Sequence, residues 1–373
     1  MYIATKQRGR QAAHTKEKEK KAMKKNYYIN PEIEVLAAMN LPAFPEKTDP
    51  DFRVKFAAYQ AAKDAITMQA RRVVAAGITI METIPYCNVP VSEDLFRRVF
   101  GISISVMSED DKLAGLRSIN SAVTENVTCL FRMQCKETVC SHCYAAGILA
   151  FRKGLKDNTE LNGRILQAAE IPVRFWPVIL DRYFRIESFA DVANTTHARN
   201  YCNFMRKNIQ CDFAAWTKNP AFWDRAMKDE NGVYCVPANC SFVLSSRVLN
   251  RPEDGKKVRA LFPWIDAIFT VFSLNYAADN SVQITCGGRK CRDCMKCYTA
   301  KDHSADGVIY VHELLKVHQK VARRAFYDRR KVFSITVGKT AENQPVKVIY
   351  RHNAAAAVLA YIDDQVKRGV IAV

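Results

Sequence analysis

The stretch Cys211-Asp-Phe-Ala-Ala-Trp-Thr217-Lys-Asn-Pro220 predicts the fold class of the chain. Its first seven residues are mostly apolar, a pattern typical of a short strand buried in a parallel sheet. Pro220 favours the start of a helix, because amide groups in the first helical turn make no intrahelical hydrogen bond and proline has no amide hydrogen to lose. A buried strand followed at once by a helix predicts one repeat of a parallel α/β sheet.

Strands and helices alternate on both sides of this stretch. Upstream, residues 183–187 predict a strand and residues 193–207 a helix; downstream, 241–245 and 265–272 predict further strands. This alternation indicates an α/β fold, and we expect a partial or complete parallel (β/α) barrel. Functional residues are then expected at the carboxyl ends of the strands.

Eight of the thirteen cysteines fall in two short segments. Clustered thiols in a reducing compartment indicate metal binding or catalysis rather than disulfides. The first segment holds Cys129, Cys135, Cys140 and Cys143, and the second holds Cys286, Cys291, Cys294 and Cys297.

The second segment is a complete set of four thiol ligands, separated by four, two and two residues. Thiolates this close together wrap an iron–sulfur cluster, whereas zinc sites usually have two pairs separated by a longer loop. We therefore predict a 4Fe-4S cluster on these four residues, with zinc as the alternative.

The first segment allows two kinds of site. Ligation by Cys129, Cys140 and Cys143 alone would leave one iron open to a small molecule. A fourth ligand, from Cys135, would close the site. Both arrangements stay open at this level.

Pattern and composition divide the chain into four parts. We expect a disordered basic tail at 1–28 and a mostly helical region at 29–110, where a helix over 52–76 ends at Gly77 and a strand follows at 78–80. We expect residues 111–306 to form an iron–sulfur α/β barrel-like domain. This domain includes a strand at 281–285 and two cysteine-rich metal loops. Residues 307–373 form a small basic α+β appendage.

Charge and hydropathy narrow the classes of partner. The net charge is +18, and residues 1–26 hold nine Lys or Arg against two Glu. With a basic helix from Arg323 to Lys331, this favours nucleic-acid contact through counterion release; a solvated basic face is the alternative. The sequence has no secretory signal and no apolar run of membrane-spanning length, so we expect a soluble cytoplasmic protein without a membrane partner.

Polar side chains occur at the predicted strand ends. Asp191 and Lys218 come just after strands, and Arg185 lies near the end of one. We assign all three as cofactor-binding candidates that share one cleft, with Lys218 holding a carboxylate or phosphate. Asp191 has the alternative role of capping the next helix, and Lys218 that of an ordinary surface cation.

Several ordered motifs within residues 100–315 resemble the gene-product-88 family of phage and plasmid proteins. They are Thr138-Val-Cys-Ser-His-Cys-Tyr-Ala145, Arg185-Ile-Glu-Ser-Phe-Ala-Asp191, Ala215-Trp-Thr-Lys-Asn-Pro220, and Ile284-Thr-Cys-Gly287 through Cys291, Cys294, Cys297 and Tyr298. Cys129, Cys140 and Cys143 fit the first family motif, whereas Cys135 has no counterpart there and Ala190 replaces a family glycine.

The resemblance implies a fold like that of radical S-adenosylmethionine enzymes. It also implies one or two 4Fe-4S clusters, S-adenosylmethionine as a candidate cosubstrate, and the host-cell cytoplasm as the location if the gene is phage-encoded. The cysteine spacing differs from the usual Cys-x3-Cys-x2-Cys of those enzymes.

Two classes of function remain. In the first, the protein is a cluster-dependent enzyme acting on a small molecule that the sequence does not define. In the second, it is a metal-stabilised nucleic-acid-binding or regulatory protein without catalysis. The number of thiolates on the first metal distinguishes them, since only an open iron supports the enzyme.

Overall fold

The computed structural model describes residues 30–84, 89–107, 112–287, 289–299, 307–315, 332–339 and 345–351. The basic tail predicted at 1–28 and the basic helix predicted from Arg323 to Lys331 lie outside these residues. The chain divides into two compact units. The first comprises Met1–Phe269 and Lys290–Tyr310, and the second comprises Thr270–Arg289 and Val311–Val373.

Helices precede a region in which strands and helices alternate. In chain order the elements are α1 (Pro31–Ala38), α2 (Phe52–Thr83), α3 (Glu93–Phe100), β1 (Ile104–Val106), β2 (Arg117–Ile119), α4 (Val127–Met133), α5 (Tyr144–Phe151), α6 (Lys153–Ala168), β3 (Tyr183–Ile186), α7 (Thr195–Lys207), β4 (Asp212–Thr217), α8 (Pro220–Ala226), β5 (Cys240–Ser245), α9 (Gly255–Leu261), β6 (Ala267–Phe272), α10 (Leu274–Asp279), α11 (Cys291–Cys294), β7 (Ile309–Leu314), β8 (Val332–Lys339) and β9 (Pro345–Arg351). Short 3-10 helices lie at Val123–Glu125, Val139–His142 and Val173–Phe175.

Seven strands form one sheet in the order β1 to β7. The first pair, β1 and β2, is antiparallel, and the four pairings from β2 to β6 are parallel. The predicted α/β class with a mostly parallel sheet is confirmed.

One face of this sheet is apolar and covered by helices. Phe184 and Phe213 lie opposite each other on β3 and β4, and both rings contact Phe204 of α7. Phe242 on β5 packs edge-on against Trp223 of α8. Each of these fully buried aromatic side chains contributes about 1.5–3 kcal/mol of transfer free energy, so this face anchors the helices.

The opposite face carries the polar side chains of Ser118, Arg185 and Ser241 beside Trp216 and the buried Ala214 and Val243, and we call it the polar face. Arg185 is in register with Ser118 of β2 and with Ala214 of β4, which in turn is in register with Ser241 of β5. Parallel sheets normally bury apolar side chains on both faces. An arginine and two serines on this second face depart from that rule.

The second unit is small. Its β8 and β9 form an antiparallel pair with an irregularity between Thr336 and Gly338. An apolar cluster is built around Phe272, Ala277 and Leu314.

Among the described residues, no helix has the length and apolarity that crossing a membrane requires.

Two local predictions were wrong. Helix α2 continues through Gly77 to Thr83, so no strand forms at 78–80. No strand forms at 281–285 either. Ser281 adopts a φ of 49°, which interrupts an extended backbone. The neighbouring Cys286 makes an isolated β-bridge to Glu313.

Gly77 is required for close packing rather than for ending a helix. A Cβ at this position would lie 2.7 Å from the ring of Phe100. We expect Gly77→Ala to lower the free energy of unfolding by about 1–3 kcal/mol through overpacking, measured by urea denaturation. Gly154→Ala is the matched control, since nothing lies within 4 Å of its Cβ position. It should change stability by no more than about 1 kcal/mol, in the stabilising direction. Equal losses in both variants would contradict this account of Gly77.

Candidate metal centre

The first cysteine segment follows β2, the first strand of the parallel part of the sheet. Cys129 lies on α4, whose N-terminus is capped by Asn126: its side-chain oxygen accepts hydrogen bonds from the amides of Thr128 (3.0 Å) and Cys129 (3.2 Å). The Asn126 side-chain amide donates to the carbonyl of Asp191 (2.7 Å). One asparagine thus fixes the helix bearing Cys129 to the loop that follows β3.

Cys140 and Cys143 lie on a turn held to the ends of two other strands. Cys140 belongs to the 3-10 helix Val139–His142, and Cys143 immediately precedes α5. The amide of Val139 donates to the carbonyl of Arg247, just after β5 (3.0 Å), and the hydroxyl of Tyr144 donates to the carbonyl of Ser188, just after β3. The turn is therefore placed at the carboxyl edge of the parallel strands.

The three thiols interact electrostatically. Burial raises the pKa of Cys129 well above its usual value, and Asp191, Cys140 and Cys143 raise it further, while Arg132 lowers it. Burial also raises the pKa of Cys140, against the lowering effect of Lys218 and Arg132. Without a metal cation the protonated forms of Cys129 and Cys140 are therefore favoured, and metal binding would have to displace these protons.

Asp191 links the ends of β3 and β4. One carboxylate oxygen accepts from the Thr217 hydroxyl (2.9 Å) and the Val192 amide (2.8 Å), and the other accepts from the Lys218 amide (2.6 Å). Burial raises the pKa of Asp191, and these donors together with the Lys218 and Arg132 charges oppose the rise. The cap of α7 is Asn194, whose side chain accepts from the amide of His197. Asp191 therefore positions the 217–219 turn rather than capping that helix.

Arg132 and Lys218 act electrostatically on the thiols, and Arg247 contacts the Lys218 backbone. Arg132 donates to the carbonyl of Lys218 (3.1 Å) and lies 4.0 Å from the Asp191 carboxylate. Arg247 donates to the same Lys218 carbonyl (3.1 Å). The half-buried Lys218 ammonium makes no hydrogen bond to any residue in the described ranges. Arg132 was not among the residues predicted from the sequence, although its position three residues after Cys129 on a helix places both side chains on one face.

Cys135 has a different environment. Its sulfur lies 3.8 Å from the Lys47 ammonium and 3.4 Å from the Phe131 carbonyl. Lys47 also lies over the Phe131 ring, 5.3 Å from its centroid. These contacts tie Cys135 to the loop between α1 and α2, whereas the electrostatic partners of Cys129 include Cys140 and Cys143.

The second cysteine segment is shared between the two units. In the first unit, Cys291 packs with Tyr298 and Trp216 against the polar face, and its amide donates to the carbonyl of Lys112 (2.8 Å). In the second unit, the Cys286 amide donates to the carbonyl of His312 (2.8 Å). Convergence of Cys286, Cys291, Cys294 and Cys297 on one cluster stays a prediction.

Arg185 has contacts different from those of Asp191 and Lys218. Its guanidinium is 3.0 Å from the centroid of the Trp216 ring, and Tyr298 is the strongest charge influence on it. Cys291 and Cys297 also influence its pKa, which burial lowers. Within the described part of the chain, no group of three or more His, Cys, Asp or Glu side chains is arranged to hold a single metal ion.

Comparison with known proteins gives no family for this chain. No family model, curated protein or solved structure matches it. Function is therefore inferred from the geometry of the site and from the sequence motifs.

The Asp191 contacts predict a measurable cost of losing one donor. Thr217→Val should lower the free energy of unfolding by about 1–3 kcal/mol, because it leaves a buried carboxylate short of a hydrogen bond. Thr217→Ser keeps the hydroxyl and is the matched control, with an expected loss below about 1 kcal/mol. Urea denaturation of both variants measures the difference. If valine and serine behave alike, the hydroxyl does not support Asp191.

Proposed function

We propose that this chain is a cluster-dependent enzyme that holds a 4Fe-4S cluster on Cys129, Cys140 and Cys143. The observation that carries the proposal is the grouping of these three thiols, with Arg132 and Lys218, at the carboxyl edge of the parallel strands. Sites in parallel α/β sheets lie at this edge.

The donor set suits a cluster better than a single ion. A tetrahedral zinc site brings thiolate sulfurs to about 2.3 Å from one point, so they stand roughly 3.8 Å apart. A cluster offers each thiolate a separate iron and needs no such convergence. Three thiolates also leave one iron without a protein ligand, and the contacts of Cys135 with Lys47 and Phe131 support a site with three ligands.

The cations around the thiols serve two roles in this proposal. Three thiolates and a cluster carry negative charge into a buried place, and Arg132 offsets part of it. The ammonium of Lys218 is left to bind the carboxylate of a small amino-carboxylate cosubstrate, for which S-adenosylmethionine is the candidate. Asp191 holds the 217–219 turn, and so the Lys218 backbone, in place. When bound, the cluster would supply one-electron chemistry at its open iron.

The finer fold and family assignments belong to the same proposal. The barrel-like fold of radical S-adenosylmethionine enzymes is proposed because the parallel strands carry the cysteine-bearing turn at their carboxyl edge. Membership of the gene-product-88 family is proposed from the sequence motifs. A second cluster on Cys286, Cys291, Cys294 and Cys297 would stabilise the fold or pass electrons.

The first test is metal content. Protein purified without oxygen should be brown, with absorbance at roughly 400 nm and iron and sulfide in equal amounts. Cys140→Ser should remove about four irons per chain by abolishing the first centre. Cys135→Ser, in the same segment, and the exposed Cys235→Ser are controls that should keep full iron. Stoichiometric zinc without iron or sulfide would refute the cluster and favour the non-catalytic, nucleic-acid-binding alternative.

The second test is cosubstrate binding. Titration of the reduced protein with S-adenosylmethionine should change the electron paramagnetic resonance spectrum of the cluster, because a new ligand binds to the open iron. Lys218→Met should raise the dissociation constant about tenfold, or about 1.4 kcal/mol, by removing the carboxylate partner. Lys136→Met, an exposed lysine in the cysteine segment, should leave it unchanged. An unaltered spectrum at saturating ligand would show that no iron is open.

A further inference from the structure

Arg185 is a cation that lacks an acidic partner. Among the described residues, no carboxylate forms an ion pair with it. Its Nε donates a long hydrogen bond to the carbonyl of Glu187 (3.4 Å), and its guanidinium stacks on Trp216. A partly buried guanidinium normally has a carboxylate or phosphate in its fork, since its five donors match the oxygens of such groups.

Tyr298 supplies an independent observation next to Arg185. Its side chain is 4% exposed, and its hydroxyl has no hydrogen-bond partner. The ring packs edge-on against Trp216, with centroids 6.4 Å apart, and so belongs to the same aromatic group on which Arg185 stacks. A buried hydroxyl without a partner is costly, and a hydrogen bond to a ligand oxygen would satisfy it.

A third orphan group lies beside the turn that follows β3. The hydroxyl of Ser188 is buried without a hydrogen-bond partner, while the Ser188 carbonyl accepts from the Tyr144 hydroxyl. Tyr144 is in turn among the groups whose charge acts on Arg185. Tyr144 and Tyr298, each next to the last cysteine of one segment, thus both act electrostatically on Arg185.

We propose that Arg185 and Tyr298 form a binding site for an oxyanion, the carboxylate or phosphate group of the substrate, on the polar face of the sheet. Arg185 binds two of the oxygens through its fork, and the Tyr298 hydroxyl donates to one of them. The aromatic ring of Trp216 holds the guanidinium flat and covers one side of the site.

This site is separate from the one assigned to the cosubstrate. Lys218 and Arg132 lie with Cys140 at the carboxyl edge, whereas Arg185 and Tyr298 lie with Cys291 and Cys297. The inference goes beyond the proposed function by naming the chemical class of the substrate, and it rests on the polar face rather than on the cluster at Cys129. Its test therefore measures anion binding, and iron content is recorded separately.

The experiment is isothermal titration calorimetry of the anaerobically purified full chain with inorganic phosphate and, in a second arm, acetate. We expect one of the two anions to bind saturably, and the arm that binds identifies the group as phosphate or carboxylate. Arg185→Gln should weaken that binding at least tenfold. Arg182→Gln is the matched control, since Arg182 also lies over an aromatic ring, that of Tyr183, but is exposed; it should bind like the unaltered protein.

A second variant keeps the test decisive if Arg185→Gln folds poorly or loses iron. Tyr298→Phe preserves the ring and every charge, and it should weaken the same anion several-fold at unchanged iron content. Binding of neither anion to the unaltered protein overturns the proposal. So does equal binding by Arg185→Gln and Arg182→Gln, or by Tyr298→Phe and the unaltered protein.

Discussion

The packing of helices on one apolar face of the parallel sheet is the constraint on which the rest of the structure depends. Phe184, Phe213 and Phe242 are buried under α7 and α8, so the helices must lie on that side. Alternate residues of the same strands, including Arg185 and Trp216, then point to the other side, because side chains alternate along a strand. A one-residue shift of register would exchange the faces, so packing of the apolar face also fixes the position of the polar one.

The carboxyl edge is ordered by side chains that join successive loops. Asn126 and Asp191 connect the loops after β2, β3 and β4, and Arg132 adds a contact from the helix that bears Cys129. Each bond contributes only about 0.5–1.5 kcal/mol net, but an unmatched partner in this buried place would cost more. The edge is thus preorganised, and the raised pKa values of Cys129 and Cys140 couple metal binding to release of protons.

The sequence predicted the parallel strands well, because buried apolar runs and Pro220 are local signals. It failed at Gly77, since a glycine that ends a helix and one that admits Phe100 look the same in a sequence. The sequence also grouped Arg185 with Asp191 and Lys218, because all three lie near strand ends. In the structure Arg185 lies among aromatic rings of the polar face. The reason is that residue 185 precedes the strand end and is in register with Ala214. The role of Asp191 depends on donors 26 and 27 residues away, which no local pattern reveals.

The central claim is that three cysteines at the carboxyl edge hold a cluster with one open iron. Anomalous diffraction at the iron absorption edge, from crystals grown without oxygen, tests it most directly. The account predicts anomalous density bonded to the sulfurs of Cys129, Cys140 and Cys143, with the remaining iron free of protein ligands and facing Lys218. Density bonded also to Cys135, or no iron at these three sulfurs, would contradict it.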